Sequence, residues 1–238
     1  MQRFLLLLLL LAGLLTGCAP GRAVPQTFSQ AALATHRTVA ILPFDVEQDR
    51  IRMSDIRFPG PDTTAGTQRR IQDEWGAKQQ WESRHVAYRL QELFYDQLLA
   101  QKPARGYTVQ FQDVRETNRR LQQAGITYEN LPDKSLSEVQ QALGVDAVLS
   151  GETLLFQPLP NGLGVAARIL LNEPIVANQG SLVPANRAAT NLALYDCQGN
   201  VLAWRLAFER TGNNALKPER LARDLVRAAV PGFPYSRR

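Results

Sequence analysis

Hydrophobic and polar positions along the chain follow periodic patterns that predict alternating strands and helices. Residues 38–44 form a short, apolar and partly β-branched run, which is typical of a strand covered on both faces. Between residues 80 and 101 the apolar side chains recur every three or four positions, which predicts a helix with one buried face. These positions are Val86, Leu90, Leu93, Phe94 and Leu98. Alternation over residues 107–111 predicts a half-buried strand.

The second half of the chain contains more predicted strands than helices. A short helix is predicted over residues 115–123, and a capping box at residues 135–138 opens another helix that ends at Gly144. Further strands are predicted over 147–156, 163–171, 189–195 and 201–208, and a closing helix over 218–229. This order predicts an α/β fold in which a single domain, residues 38–238, has a mixed β-sheet packed with helices.

We predict that the amino-terminal residues are a targeting segment that takes no part in the fold. Residues 1–17 contain one basic residue, Arg3, then an apolar run from Phe4 to Leu15 and then small residues, which is typical of a signal peptide. That run is shorter than the roughly 20 apolar residues of a spanning helix. Residues 18–37 show little periodicity and contain Pro and Gly, so we predict a tether there.

The end of this segment resembles the lipobox of bacterial lipoproteins. Leu15, Thr16 and Gly17 precede Cys18 in the order in which the lipobox places its acylated cysteine. The resemblance implies that Cys18 carries lipid, palmitate included, and becomes the first mature residue. Ala19 stands where an aspartate commonly retains such proteins at the inner membrane, so the resemblance favours the periplasmic side of the outer membrane. The alternative is a cleaved signal peptide followed by a chance cysteine.

Residues 45–78 are polar and lack a clear period, which predicts an irregular insertion in the domain. Trp75 and Trp81 lie near its end. These two indoles would either pin the insertion to the domain or form part of a surface that contacts a partner, and the pattern leaves both open.

Composition removes several classes of function. The 27 Lys and Arg residues against 22 Asp and Glu give a net charge of +5, without the patch that nucleic-acid binding needs. The chain has two cysteines and two histidines, and they do not lie at the spacing typical of metal ligands. We therefore predict that the protein holds no metal and no cofactor. If Cys18 carries lipid, Cys197 is left without a partner in the chain. We predict a buried apolar filler at Cys197; a catalytic nucleophile is the alternative.

Three segments, taken in their order along the chain, resemble a domain shared by envelope proteins. They are residues 38–45, 143–152 and 194–204, each a strand with a turn. The domain occurs in the curli secretion lipoprotein, in the outer-membrane lipoprotein activators of penicillin-binding proteins and in the amino-terminal domain of TolB. The resemblance spans most of residues 38–230. It implies an α/β domain that binds other envelope proteins and performs no chemistry.

Together these observations predict a lipid-anchored binding or assembly module of the outer membrane, with an unidentified envelope protein as partner. A basic face at Arg220, Arg223 and Arg227 is a candidate contact for anionic headgroups or an acidic partner; a solvated face is the alternative. One alternative function is a subunit of an oligomeric secretion channel, since residues 163–171 are just long enough to cross a bilayer as a strand. A homo-oligomer is therefore left open. The other alternative is an enzyme acting on cell-wall material.

Overall fold

The computed structural model describes residues 22–50, 65–160, 185–212 and 214–237. The strands are β1 (Arg22–Thr27), β2 (Thr38–Ile41), β3 (Asp45–Arg50), β4 (Gln110–Phe111), β5 (Ala147–Gln157), β6 (Arg187–Asp196) and β7 (Val201–Thr211). The helices are α1 (Gln30–Thr35), α2 (Ala65–Ala100), α3 (Val114–Gln123), α4 (Leu136–Leu143) and α5 (Pro218–Ala229), with 3₁₀ turns at Leu131–Asp133 and Val230–Gly232. The α/β class predicted from the pattern is confirmed.

All seven of these strands belong to one mixed sheet. Its order is β1-β7-β6-β5-β2-β4, and β3 lies beside β5 beyond the end of β2. The β2, β3 and β4 pairings are parallel, whereas β5, β6, β7 and β1 pair antiparallel. Because β2 and β3 both run along β5, they act as one strand interrupted by a bend at residues 42–44.

Helices cover the two faces of the sheet unequally. On the first face, α2 and α5 pack on a large core that includes Phe94, Leu149 and Leu225. On the second face, α3 and α4 cover only β2 and the beginning of β5 through a smaller core. Further along β5 the second face is open among the described residues, and Glu152 and Leu154 on it are exposed. This open part of the sheet leaves room for a partner.

The predicted tether is wrong over most of its length. Residues 22–27 form the edge strand β1, which pairs antiparallel with β7, and residues 30–35 form α1. The strand was not predicted because Pro25 argues against one: proline lacks the N–H that a neighbouring strand would bind. On an edge strand such as β1 this N–H is not needed, so proline is tolerated. Ser29 caps α1 by accepting a hydrogen bond from the Ala32 N–H at 3.3 Å.

The predicted irregular insertion at 45–78 is also wrong at both of its ends. Residues 45–50 are β3, in which buried Gln48 takes the place of an apolar residue and so breaks the expected alternation. From Ala65 onward the chain belongs to α2, which begins well before the predicted residue 80. The side chains that the structure describes in these first turns are mostly exposed, which agrees with the lack of an apolar stripe in their sequence. Residues 51–64 lie outside the described residues.

Most of the other predicted helices and strands agree closely in their bounds with the observed ones. The capping box opens α4, with the Glu138 N–H bonded to Ser135 and the Ser135 N–H bonded to Glu138, and Gly144 ends the helix at φ +66°. The strand predicted over 107–111 is shorter, since β4 contains two residues and Tyr107 forms only an isolated bridge with Ser236. The predicted strand 163–171 lies outside the described residues.

Candidate functional site

A groove of about 450 Å³ opens on the second face, between the β2–β3 bend and α4. Its floor is apolar and comes from four separate elements of the chain. The floor residues are Leu42, Pro43, Leu131, Leu136, Val139 and Val148. Polar side chains stand around the rim, so the groove is suited to a ligand with both apolar and polar groups. We refer to this feature as the groove.

The bend that forms one wall of the groove depends on a glycine, Gly151, on the neighbouring strand. Phe44 points into the main core, 5.8 Å from Phe94 between ring centroids, and is 1% exposed. Its ring lies directly against Gly151 of β5, where an added Cβ would meet two ring carbons at 2.5 Å. Only glycine therefore lets Phe44 fill this space. The bend in turn sets β3 in register with β5, with Asp45 opposite Glu152.

Two carboxylates dominate the rim. Asp45 and Glu152 are register partners on neighbouring strands, both are exposed, and both line the groove. Within the described parts of the chain, neither carboxylate has a cationic partner. The two other charged residues at the rim are paired, since Glu129 binds Arg84 at 3.0 Å and Lys134 binds Glu138 at 3.2 Å. As far as the described residues go, the groove therefore offers negative charge without a neutralising cation above an apolar floor.

Two tyrosines flank the groove. The Tyr128 hydroxyl accepts a hydrogen bond from the Val46 N–H at 3.1 Å, which ties the wall of the groove to β3. Burial raises the pKa of Tyr128, and the bond from Val46 only partly offsets this, so the phenol stays neutral. Tyr195 is half-buried beside Val148 on the neighbouring strand. These rings add apolar contact area with a polar tip.

A second polar cluster, which is buried, lies on the other side of the sheet from the groove wall. The His36 Nε2 lies 2.9 Å from the Asp196 Oδ1, and its Nδ1 lies 2.5 Å from the Tyr235 hydroxyl oxygen. The carboxylate accepts from the ring N–H at Nε2, so Nδ1 accepts from the tyrosine. Burial raises the pKa of Asp196, but hydrogen bonds from His36 and from the Gly199 and Gln198 backbone outweigh it and leave that pKa lowered.

Sequence reasoning missed this cluster. His36 has a buried partner on each ring nitrogen, yet Asp196 and Tyr235 lie 160 and 199 positions away along the chain. No local spacing could signal such a contact. The arrangement is structural, because both nitrogens of the imidazole are engaged and the ring is 2% exposed.

The prediction that Cys197 is a buried apolar filler is confirmed. Its thiol is buried in the smaller core beside Val148 and Leu143. Burial, together with the nearby charges of Asp196 and Asp146, raises the pKa of the thiol to about 11. The thiolate that a nucleophile needs is therefore scarce at neutral pH.

The structure places the sequence-predicted contact residues outside the groove. Trp75 and Trp81 are 44% and 52% exposed on α2, and Trp81 stacks on His85 with 3.8 Å between ring centroids. On α5, Arg220 and Arg227 are exposed and Arg223 is half-buried. The tryptophans and arginines do not converge, since α5 begins beside Arg89 of α2, about 12 Å along the helix from Trp81. Cys18 lies outside the described residues.

Two features are absent among the described residues. No three His, Cys, Asp or Glu side chains in the described ranges converge on a point where a metal ion would be held. Among the helices described here, none combines the length and hydropathy needed to cross a bilayer.

Comparison with known proteins finds similarity in solved structures alone. No protein-family model matches the sequence, and no curated protein matches it. The chain is similar to the PelC dodecamer from Paraburkholderia phytofirmans, at 12% identity over 92% of this chain and 99% of that one, with a TM-score of 0.38. It is similar to lipoprotein GNA1162 from Neisseria meningitidis, at 15% identity over 83% and 97%, with a TM-score of 0.39. It is also similar to the LpoB carboxy-terminal domain from Salmonella enterica, at 9% identity over 76% and 93%, with a TM-score of 0.30.

Proposed function

We propose that this protein is a lipid-anchored binding module of the bacterial envelope, held on the periplasmic side of the outer membrane through acylated Cys18. Its groove binds a segment of another envelope protein that carries Lys or Arg next to apolar side chains. The observation that supports this proposal most directly is the pair of carboxylates above the apolar floor, Asp45 and Glu152, which have no cationic partner among the described residues. The anchor is supported by the lipobox-like sequence before Cys18.

Charge complementarity specifies the ligand. Two carboxylates on neighbouring strands repel each other, and a cation placed between them relieves that repulsion while an apolar neighbour covers the floor. The Tyr128 and Tyr195 rings lie where they would contact aliphatic parts of such a segment. An acidic or phosphorylated segment would meet like charge at the same rim.

We also propose that the protein is not an enzyme. The two groups best suited to catalysis are occupied or inaccessible: the ring nitrogens of His36 are both hydrogen-bonded in the interior, and the Cys197 thiol is buried with a raised pKa. Asp45 and Glu152 have no general acid or oriented base beside them among the described residues. These observations support binding over bond cleavage.

Peptide binding tests the proposed groove. Short peptides with an aliphatic pair beside one to three lysines, and matched peptides with glutamate, are titrated by fluorescence anisotropy. We expect only the lysine peptides to bind, with affinity falling as salt rises. The double variant Asp45→Asn, Glu152→Gln should weaken binding about tenfold, or about 1.4 kcal/mol. Asp96→Asn, an exposed carboxylate on the far part of α2, is the matched control and should bind normally.

Equal binding by the groove variant and the wild type would contradict the proposed site. Point changes are preferable to a deletion of residues 45–78, because such a deletion would remove β3 and the beginning of α2. Incubation with peptidoglycan fragments tests the absence of catalysis, and cleaved products would contradict it.

Mass spectrometry and membrane fractionation test the anchor. We expect a triacylated amino terminus at Cys18 and recovery of the protein with outer-membrane fractions. An unmodified terminus, or release of the protein by osmotic shock, would contradict the proposal. Light scattering of the detergent-solubilised protein addresses the secretion-channel alternative, which requires a ring and is excluded by a monomer.

A further inference from the structure

Beyond the groove, the second face of the sheet presents an open area that five strands build. Side chains at alternate positions of β3, β5, β6, β7 and β1 point to this face, and strand pairing aligns them in rows across the sheet. One of these rows contains Val24, Ala207, Asn191, Glu152 and Asp45. Val24, Ala207 and Glu152 are exposed, so this area, which we call the open face, is accessible to solvent.

The middle of the open face is apolar and made of small side chains. Val24 of β1 is 51% exposed, and Leu154 of β5 is 36% exposed. Between these two strands the face carries Ala189 and Ala193 on β6 and Ala207 on β7. Because alanine side chains are short, another layer of structure can approach closely here. The open face is therefore suited to packing against a second sheet at the usual separation of about 10 Å.

Opposite charges stand at the two sides of the open face. Glu152 is exposed on β5 and Arg205 is exposed on β7, and neither forms an ion pair within the described ranges. On β3, Glu47 adds another exposed carboxylate to the side of Glu152. Arg187 and Glu209, between the two sides, bind each other at 3.1 Å and neutralise each other. The open face thus has an acidic side and a basic side.

A two-fold axis along β6 makes this charge pattern self-complementary. Rotation by 180° about an axis parallel to the strands places β5 of each copy over β7 of the other and keeps every row at its height. Glu152 then lies one row, about 7 Å along the strand, from Arg205 of the second copy, a distance that a long arginine side chain can span. A two-fold axis across the strands would place carboxylates over carboxylates instead. The charges therefore select the first arrangement.

The open face is large enough for a dimer interface. Its strands lie about 4.8 Å apart and its rows about 6.7 Å apart, so four rows on five strands cover about 600 Å² with their margins. Two such faces bury about 1,200 Å² together, which is the lower limit of a stable specific interface. An interface of this size with few charged pairs is expected to be reversible and to weaken as salt rises.

We propose that two copies of this chain form a dimer by packing their open faces against each other, with Glu152 of each copy paired with Arg205 of the other. The dimer requires neither the lipid anchor nor the groove ligand of the proposed function. Because Glu152 also lies on the rim of the groove, a second copy and a basic ligand compete for the same carboxylate. Self-association thereby reduces the affinity of the groove for its ligand.

Reversal of the two charges tests the pairing. A concentration series of the detergent-solubilised full-length protein, followed by light scattering, gives the dissociation constant of the dimer. Glu152→Arg and Arg205→Glu each place like charges at both contacts and should weaken the dimer at least about tenfold. The double variant Glu152→Arg, Arg205→Glu restores opposite charges, as does an equimolar mixture of the two single variants. Both should return the dissociation constant to within about threefold of the wild-type value.

A charge reversal on the other side of the molecule is the matched control. Arg220→Glu changes an exposed arginine of α5, which packs on the first face, and should leave the dissociation constant unchanged. A wild-type protein that stays monomeric throughout the series overturns the proposal. A dimer that both single variants leave intact overturns it too, and so do single variants that neither the double variant nor the mixture rescues. The peptide titrations of the groove are separate measurements, so either proposal can fail while the other stands.

Discussion

The close contact between Gly151 and Phe44 predicts that adding one methyl group to the sheet destabilises the domain. In Gly151→Ala the new Cβ would lie 2.5 Å from the Phe44 ring carbons Cδ1 and Cε1 and 2.9 Å from Cζ. Ordinary contact begins near 3.4 Å, so the ring must move by about 1 Å. Phe94 and the surrounding core resist that movement.

The magnitude follows from two opposing effects. Overpacking of this kind costs about 1–3 kcal/mol, and replacing a strand glycine by alanine returns about 0.5–1 kcal/mol by reducing the freedom of the unfolded chain. We therefore expect Gly151→Ala to lower the free energy of unfolding by about 1–2 kcal/mol. For a domain of this size, that corresponds to a fall in Tm of about 4 °C.

Urea unfolding followed by circular dichroism measures this effect on a version of the chain that begins at residue 19. The matched control is Gly76→Ala in an open part of α2, which should raise stability by up to about 1 kcal/mol. In a Phe44→Leu background, Gly151→Ala should cost almost nothing, which gives a coupling of about 1 kcal/mol or more. A Gly151→Ala variant as stable as the wild type would refute the reasoning.

Three further predictions concern Asp146, Tyr235 and Cys197. Burial raises the pKa of Asp146, but hydrogen bonds from the Thr38 and Arg37 backbone outweigh burial and leave that pKa lowered. The folded state therefore binds fewer protons than the unfolded state. The resulting stability is present above pH 3.8 and is lost as the pH falls below that value. Urea unfolding at a series of pH values should show this loss in the wild type and a smaller one in Asp146→Asn, and equal pH dependence would contradict it. Tyr235→Phe leaves the Nδ1 of His36 unpaired and should lower the free energy of unfolding by about 1–2 kcal/mol, as measured by the urea midpoint; an unchanged midpoint counts against the buried cluster. Cys197 should react with Ellman's reagent only in denaturant, since its thiol is buried with a pKa of about 11, and rapid labelling of the native protein would show that the site is accessible.

The local patterns of the sequence were sufficient for the elements whose stability is local. The helix α4 has its capping box and its terminal glycine within ten residues, and its bounds were predicted closely. The core strands β5, β6 and β7 show the alternation or continuous apolar runs that burial in a sheet requires. The α/β class followed from their order.

The groove could be predicted only in part. The β2 strand and Pro43 were visible in the sequence, but the pairing of Asp45 with Glu152 arises because Phe44 packs on Gly151 across the sheet. That register is a property of two strands that lie about a hundred positions apart. Gln48 is buried and hydrogen-bonded to groups of α2. Because this buried position of β3 holds a polar residue, the hydrophobic pattern did not predict it.

What the sequence alone determined is the set of locally stable elements, because each depends on neighbours within a few residues. The targeting segment and the acylation of Cys18 are predictions of the same local kind. Tertiary structure decided how the supposed tether is used: β1 is a strand only because the edge of β7 offers it hydrogen bonds, and Pro25 gives no local sign of that. It also decided that His36 is a structural residue and that the carboxylates of β3 and β5 share a rim. In each case the deciding interaction joins residues far apart in the chain, and such pairings become defined only when the sheet closes around its core.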